Sequence, residues 1–312
     1  MFGVYHGSEG RLGNALHLND FTYSLKKILL LGRGQIGSAL ARDLTDFGLQ
    51  VWPRDIDDLT SEALREIAPD AVINAAGKTD LAWCEANASE AMRSNLEAPV
   101  RLYQRILGIA GAAEGAHHAT KIRFIHFSSG CIWDGPYTSE GKPFTPGDPA
   151  SPACLYAWTK AAADAMLLDL NSENIAILRP RQVYSASAHR RNTLLKLQQY
   201  PKLVDTPNSV SSMAIIEKTL RHVLTANHNW SSIWNVYDCG VTSPFEIGEM
   251  LWKAGLREKP IRISKEELDT FHKPKRVDTV LYDSRFEAVI QPEDVHVQLL
   301  RTIEQLKNVS QT

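Results

Sequence analysis

Lys27-Ile28-Leu29-Leu30-Leu31-Gly32-Arg33-Gly34-Gln35-Ile36-Gly37 is the stretch that decides how this chain folds. The apolar run to Leu31 reads as a buried strand. A helical pattern follows from Ser38 to about Phe47 and stops at Gly48. G-x-G-x-x-G between a strand and a helix is a phosphate-binding corner. Glycines let the backbone approach a pyrophosphate, and the helix N-terminus favours its charge. Gly32, Arg33, Gly34, Gln35, Ile36 and Gly37 are therefore candidate cofactor contacts.

The next strand, Leu49-Gln50-Val51-Trp52, leads into Pro53 and Arg54. An NAD-type corner usually places an acid at this strand tip, on the ribose 2′-hydroxyl. Arg54 here, with Arg33 inside the glycine loop, favours a 2′-phosphate and hence NADP. Asp55 or Asp58 could still reach the ribose, so NAD stays open; Asp58 and Leu59 complete the candidates at this corner. Asp70 to Gly77 reads as a third strand ending in Asn74-Ala75-Ala76-Gly77, whose small residues would let a cofactor lie on the backbone. A helix from Ala88 to about Leu107 carries Asn95, a residue that is usually solvated in mid-helix.

The chemistry-bearing residues gather between Ile122 and Lys160. Ile122 to Phe127 reads as a buried strand breaking into Ser128-Ser129-Gly130-Cys131-Ile132, and Tyr156-Ala157-Trp158-Thr159-Lys160 opens an Ala-rich helix. Tyrosine and lysine four apart on a helix share one face. A hydroxyl at the preceding strand end can meet them there, and such a trio can protonate a carbonyl oxygen while a cofactor delivers hydride. A surface Tyr and a surface Lys would give the same spacing by chance.

Strands continue to alternate with helices through Ile175–Arg179, Ser211–Ala226, Ile233–Tyr237, Ser243–Ala254 and Pro292–Leu306. This alternation points to an α/β Rossmann-type doubly wound parallel sheet with a smaller C-terminal substrate-binding lobe. Residues 1–24 read as an N-terminal arm. Residues 25–180 read as an NAD(P)-binding Rossmann domain, completed by about 205–240. Residues 181–204 and 241–312 read as the lobe. The 312 residues suffice for both units. A net charge of -2 offers no basic field for nucleic acid, and no apolar run is long enough for a membrane span. Four scattered cysteines show no zinc spacing and no disulfide framework, and His117 and His118 have no evident metal partners. A reducing cytoplasm is the expected setting, with no metal.

Several separate motifs agree. The glycine loop, Asn74-Ala75-Ala76-Gly77, Asn95, Ser129 and Tyr156-x-x-x-Lys160 resemble the extended short-chain dehydrogenase/reductase superfamily. More narrowly, the chain resembles dTDP-4-dehydrorhamnose reductases, and most of all the plant-type nucleotide-rhamnose synthase, a 3,5-epimerase/4-reductase. That likeness rests on Ile73 to Gly77, Trp83-Cys84-Glu85, Gly130-Cys131-Ile132, Leu178-Arg179-Pro180-Arg181, Arg191-Asn192-x-x-x-Lys196, Pro207-Asn208-Ser209 and Ile233-Trp234-Asn235. The glycine loop is one residue shorter than the family's G-x-x-G-x-x-G, and the loops flanking Cys131 and Tyr156 differ in length.

The resemblance implies NADPH-dependent reduction of the C4 ketone of a nucleotide-activated 4-keto-6-deoxy hexose. It assigns Tyr156 as acid, Ser129 as donor to the ketone oxygen and Lys160 to the nicotinamide ribose. A free Tyr titrates at about 10, and an ammonium beside it is expected to lower that value. Epimerisation at C3 and C5 needs an acid and a base on opposite faces. The resemblance assigns these roles to Cys131 and Lys196, the latter needing a depressed pKa. Without it, Cys131 would read as a small buried hydrophobe and Lys196 as a surface lysine. Arg179, Arg181, Arg190, Arg191 and Arg276 stand where a nucleotide diphosphate could be clamped. The alternatives are a plain 4-reductase, or a non-catalytic NADP-binding subunit like the beta subunit of methionine adenosyltransferase. Intact Ser129, Tyr156 and Lys160 argue against the latter. A homodimer is common in the superfamily.

Overall fold

The computed structural model describes residues 25, 27–111, 122–170, 173–228 and 230–310. The N-terminal arm and the pair His117 and His118 lie outside them. Strand β1 (Ile28–Leu31) is followed by helix α1 (Gln35–Asp43), β2 (Leu49–Val51), α2 (Ser61–Ile67) and β3 (Ala71–Asn74). Then come α3 (Leu81–Ala86), α4 (Ala88–Met92), a wide turn at Arg93–Glu97 and α5 (Ala98–Gly111). β4 (Arg123–Phe127), α6 (Leu155–Leu170) and β5 (Ile175–Pro180) follow.

Strand β7 (Ser232–Val236) completes a six-stranded sheet of order β2-β1-β3-β4-β5-β7, every pairing parallel. The chain steps from β1 out to β2, then crosses back over β1 to β3 on its other side, so the direction of winding reverses beside β1. In open α/β sheets ligands bind beyond the carboxyl ends of the strands at such a switch point.

The strands are buried on both faces, which is why they read as continuous apolar runs. Ile28, Leu30, Ile73 and Ile125 face α1 and α8 (Met213–Thr225). Leu29, Leu31, Val72 and Phe124 alternate with them and face α5 and α6. Arg123 ties the sheet to α8 by donating to the carbonyls of Val223 and Leu224, both at 3.0 Å, with Trp230 beneath its guanidinium.

A separate apolar cluster joins α7 (Thr193–Gln199), α9 (Pro244–Lys253) and α12 (Val295–Ser310) with Leu203. Beside it β6 (Lys202–Val204) and β8 (Ile261–Ile263) form a small parallel pair, which leads into α10 (Lys265–Phe271). Asn192 and Ser243 cap α7 and α9 by accepting from Leu194 N and Glu246 N. α11 (Ser284–Ile290) closes the first core. Among the described residues no helix is long and apolar enough to cross a membrane.

α1 starts at Gln35, three residues earlier than the periodicity alone indicates, because the glycine turn feeds straight into it. The last glycine fixes how close it sits: a Cβ on Gly37 would lie 2.0 Å from the carbonyl oxygen of Gly32, whereas one on Gly34 meets nothing within 4 Å. A backbone atom cannot step aside as a flexible side chain can. Gly37→Ala should therefore lose at least about 2 kcal/mol of stability in urea denaturation, and Gly34→Ala no more than about 0.5 kcal/mol. Equal midpoints for the two variants would contradict this packing.

Candidate active site

A cleft of about 1140 Å³ opens where β1, β3, β4 and β5 end, with β6 and the segment after α10 as its far wall. At one end lies the glycine turn. Gly32 has φ +99, and a Cβ there would lie 2.5 Å from Ala76 N, so the turn rests directly on the Ala75-Ala76 backbone. Gly32, Arg33, Gly34, Gln35 and Ile36 line the cleft, as do Ala75, Ala76 and Gly77. Gly37 does not; it is buried behind the turn. Arg33 and Arg54 are both exposed on the cleft wall, and the Arg54 guanidinium sits 5.0 Å over the Trp52 ring.

Two candidates at this corner are corrected. Asp58 does not line the cleft: its carboxylate accepts from Asp55 N in a reciprocal cap of one short helical turn. Leu59 is fully buried in the core beneath α5. Asp55, Ile56 and Asp57 stand on the wall instead. Asp57 is engaged by Arg101 at 2.9 Å.

At the cleft's centre, β4 ends in Ser128 and Ser129, both buried. The Ser129 hydroxyl accepts from Cys131 N at 3.1 Å and lies beside the Tyr156 phenol. Tyr156 and Lys160 lie one turn apart on α6, on its buried face. Lys160 Nζ donates to the Phe127 carbonyl at 2.9 Å. Gly77 brings the end of β3 to the same place, since a Cβ on it would lie 3.6 Å from Lys160 Nζ. Hydroxyl, phenol and amine thus meet in one pocket.

Asn95 is buried, not solvated. It accepts from Lys78 N at 2.8 Å and donates to Lys78 O at 2.9 Å and to Thr159 at 3.3 Å. It belongs to the wide turn between α4 and α5, which aims it at the loop after Gly77. Helix propensity carries no sign of this, because every partner is distant in sequence.

The electrostatics differ from expectation at Tyr156. Burial pushes its phenol well up, the neighbouring Cys131 adds to this, and the adjacent Ser129 hydroxyl opposes it. The predicted lowering by Lys160 is not met: the dry surroundings outweigh any help from the amine. Burial also pulls the Lys160 amine down to about 8, against the Asp164 carboxylate one turn on. Asp164 is in turn paired with Arg179 at 2.8 Å, both buried. Arg179 is therefore a structural partner off the cleft wall, not a candidate phosphate clamp.

Cys131 and Lys196 face the same cleft. Lys196, half-buried on α7, is lowered by burial first and then by Arg276 and Arg191. Arg190, Arg191 and Arg276 line its surroundings, and Arg191 donates to Thr79 Oγ1. Arg181 reaches the cleft only through a fully buried guanidinium that donates to Cys131 Sγ. Of the wall formed by His272 to Asp278, sequence reading singled out Arg276 alone. The wall's basic and prolyl residues were visible as a turn, without a sign of where the turn would dock.

A bifunctional dTDP-4-dehydrorhamnose 3,5-epimerase/dTDP-4-dehydrorhamnose reductase of Arabidopsis thaliana is 31% identical over 198 residues, 60% of each chain. The L780 UDP-rhamnose synthase of Acanthamoeba polyphaga mimivirus superposes with a TM-score of 0.76 at 19% identity, covering 90% of this chain and 99% of that one. A dTDP-4-dehydrorhamnose reductase of Bacillus anthracis, solved in complex with NADP, gives 0.72 at 16% identity, covering 90% of this chain and 100% of that one. The chain spans only 27% to 60% of the length of the curated relatives it first matches. The model of the RmlD substrate binding domain matches residues 26–211, well over half of the sequence, and the chain belongs to that family.

Proposed function

We propose that this protein reduces the C4 ketone of a nucleotide-activated 4-keto-6-deoxy hexose with NADPH, after inverting C3 and C5 of the same sugar. The meeting of Ser129, Tyr156 and Lys160 in a cleft that begins at the glycine turn carries this reading. The printed activities of the Arabidopsis relative and the NADP in the Bacillus anthracis structure support it.

The residues present fit a dinucleotide. Among the described residues a Cβ on Gly34 would meet nothing within 4 Å, an α-helix begins there, two exposed arginines flank it, and a buried lysine waits at the far end. Gly32 to Ile36 would hold the pyrophosphate, Arg33 and Arg54 a 2′-phosphate, and Lys160 the nicotinamide ribose. The bound dihydronicotinamide supplies the hydride.

The chain's own groups handle the charge. Ser129 donates to the ketone oxygen, where negative charge develops. A phenol held above its ordinary value keeps its proton at neutral pH, so Tyr156 enters the step as an acid and protonates that oxygen. The Lys160 ammonium then stabilises the phenolate left behind. For the inversions, Cys131 and Lys196 exchange the protons next to the ketone. β6, α7 and the segment from His272 to Asp278 hold the sugar nucleotide, with Arg190, Arg191 and Arg276 near its phosphates.

Two variants separate the steps in one assay. Tyr156→Phe should cut kcat for reduction by roughly 10²–10⁴-fold while NADPH still binds, as expected for loss of one positioned acid. Cys131→Ser should stop solvent deuterium entering C3 and C5 yet leave reduction of an already inverted sugar. Exchange that persists in Cys131→Ser would remove Cys131 from the chemistry. A pH series reads Lys160. Its amine, pulled down to about 8, loses most of its charge between pH 7 and pH 9.5, so the Kd for NADPH should rise steadily over that range. A flat Kd over that range would show that Lys160 does not hold the cofactor as an ammonium.

A further inference from the structure

We infer that Asn208 is a positioning residue for Arg276: from outside the cleft it anchors the end of the far wall, so that the Arg276 guanidinium meets the diphosphate of the sugar nucleotide. The inference rests on the proposed reading of the cleft as a sugar-nucleotide site.

Residues 272–280 form neither helix nor strand, so their main-chain polar groups must find partners elsewhere. The stretch divides sharply. Lys275 and Arg276 are exposed, whereas Val277, Asp278, Thr279 and Val280 are buried. Asn208 is fully buried and does not line the cleft. Its Oδ1 accepts from Thr279 N at 3.1 Å and from Arg181 Nε at 2.9 Å. Its Nδ2 donates to Asp278 Oδ1 at 2.9 Å. Arg181, oriented by Asn208, donates from Nη2 to the Val277 carbonyl. One amide thus fixes the residues that follow Arg276: Asp278 and Thr279 directly, Val277 through Arg181. Ser209 N adds a bond to the Thr279 carbonyl at 2.9 Å.

Asn208 is itself held at both main-chain groups. Its N–H donates to the Thr242 carbonyl at 2.8 Å and its carbonyl accepts from Thr242 N at 3.0 Å, beside the cap of α9. The position asks for an amide. Two N–H groups converge on the oxygen while the nitrogen faces a carboxylate. An aspartate would set a second carboxylate against Asp278, and an alanine would leave buried donors and an acceptor short of a partner.

Among the described residues, the other side of Arg276 carries no comparable anchor. Lys275 pairs with Asp134 at 2.7 Å, but both side chains reach solvent, and such a pair holds position weakly. Arg276 Nε donates to His272 Nε2 at 2.9 Å, a contact inside the wall itself. The guanidinium therefore inherits its place from Val277 to Thr279. There it stands close enough to Lys196 to lower that amine.

Kinetics of Asn208→Ala, Arg276→Ala and the double variant test this, with NADPH and the UDP- and dTDP-linked forms of the already inverted 4-keto sugar. Asn208→Ala should raise KM for the sugar nucleotide about tenfold, with kcat and the Kd for NADPH within about threefold of wild type. The double variant should have the KM of Arg276→Ala alone, because the anchor then has nothing left to position. An unchanged KM in Asn208→Ala overturns the inference, as does a double variant whose KM rises by the product of the two single effects. Loss of kcat or of NADPH binding in Asn208→Ala also overturns it, since that marks general damage to the fold. If Asn208→Ala does not fold, residue-resolved hydrogen exchange of wild type decides. The Thr279 amide should then exchange at least about a hundredfold more slowly than the Arg276 amide, and equal rates overturn the inference. A wild type that reduces neither sugar removes the reduction reading instead. The same cycle is then read on the Kd for UDP and dTDP, and binding of neither overturns the inference as well.

Discussion

A buried ammonium sets the terms for the rest of the molecule. Lys160 is 3% exposed, and a charge so far from water is tolerated only with close compensation. The Phe127 carbonyl supplies one hydrogen bond. Asp164 supplies opposite charge one turn along, and Arg179 keeps Asp164 in place. Those partners sit on β4, α6 and β5. The compensation therefore exists only when helix and sheet are packed in this register, with Ala157, Ala163 and Leu167 against the strands. Small residues at that seam let α6 come close enough for the phenol of Tyr156 to reach Ser129.

The same dryness divides labour among the groups in the cleft. It raises the Tyr156 phenol and lowers the Lys160 amine, each toward its neutral form. A neutral phenol suits an enzyme that donates a proton to a new alkoxide. Farther along the wall, Lys196 is lowered by burial and by two arginines, while the Cys131 sulfur faces a guanidinium. In the proposed reaction the two ends of the pocket would serve different proton transfers on one sugar.

Local features were legible in the sequence. The strand, glycine turn and helix from Lys27 onward are one contiguous run, and the Tyr156–Lys160 spacing states its own helical face. Features that need distant partners were not. Asn95 reads as a solvated helix residue until the wide turn aims it at Lys78 and Thr159, 17 and 64 residues away. Asp58 and Asp57 are neighbours in sequence, but capping turns one away from the cleft and leaves the other on its wall. Arg179 looked like a phosphate ligand because nothing in the sequence pairs it with Asp164. The value of the Tyr156 phenol depended on burial, which spacing alone does not encode.

The trio's role reduces to one atom transfer. NADPH carrying deuterium at its transferable position, mixed with the protein and a nucleotide-linked 4-keto-6-deoxy hexose, can be followed by proton NMR of the product. Deuterium at C4 of the sugar, with loss of the keto form, is the expected result. A sugar left as the ketone, or reduced without the label at C4, would contradict the assignment of Ser129, Tyr156 and Lys160 to carbonyl reduction.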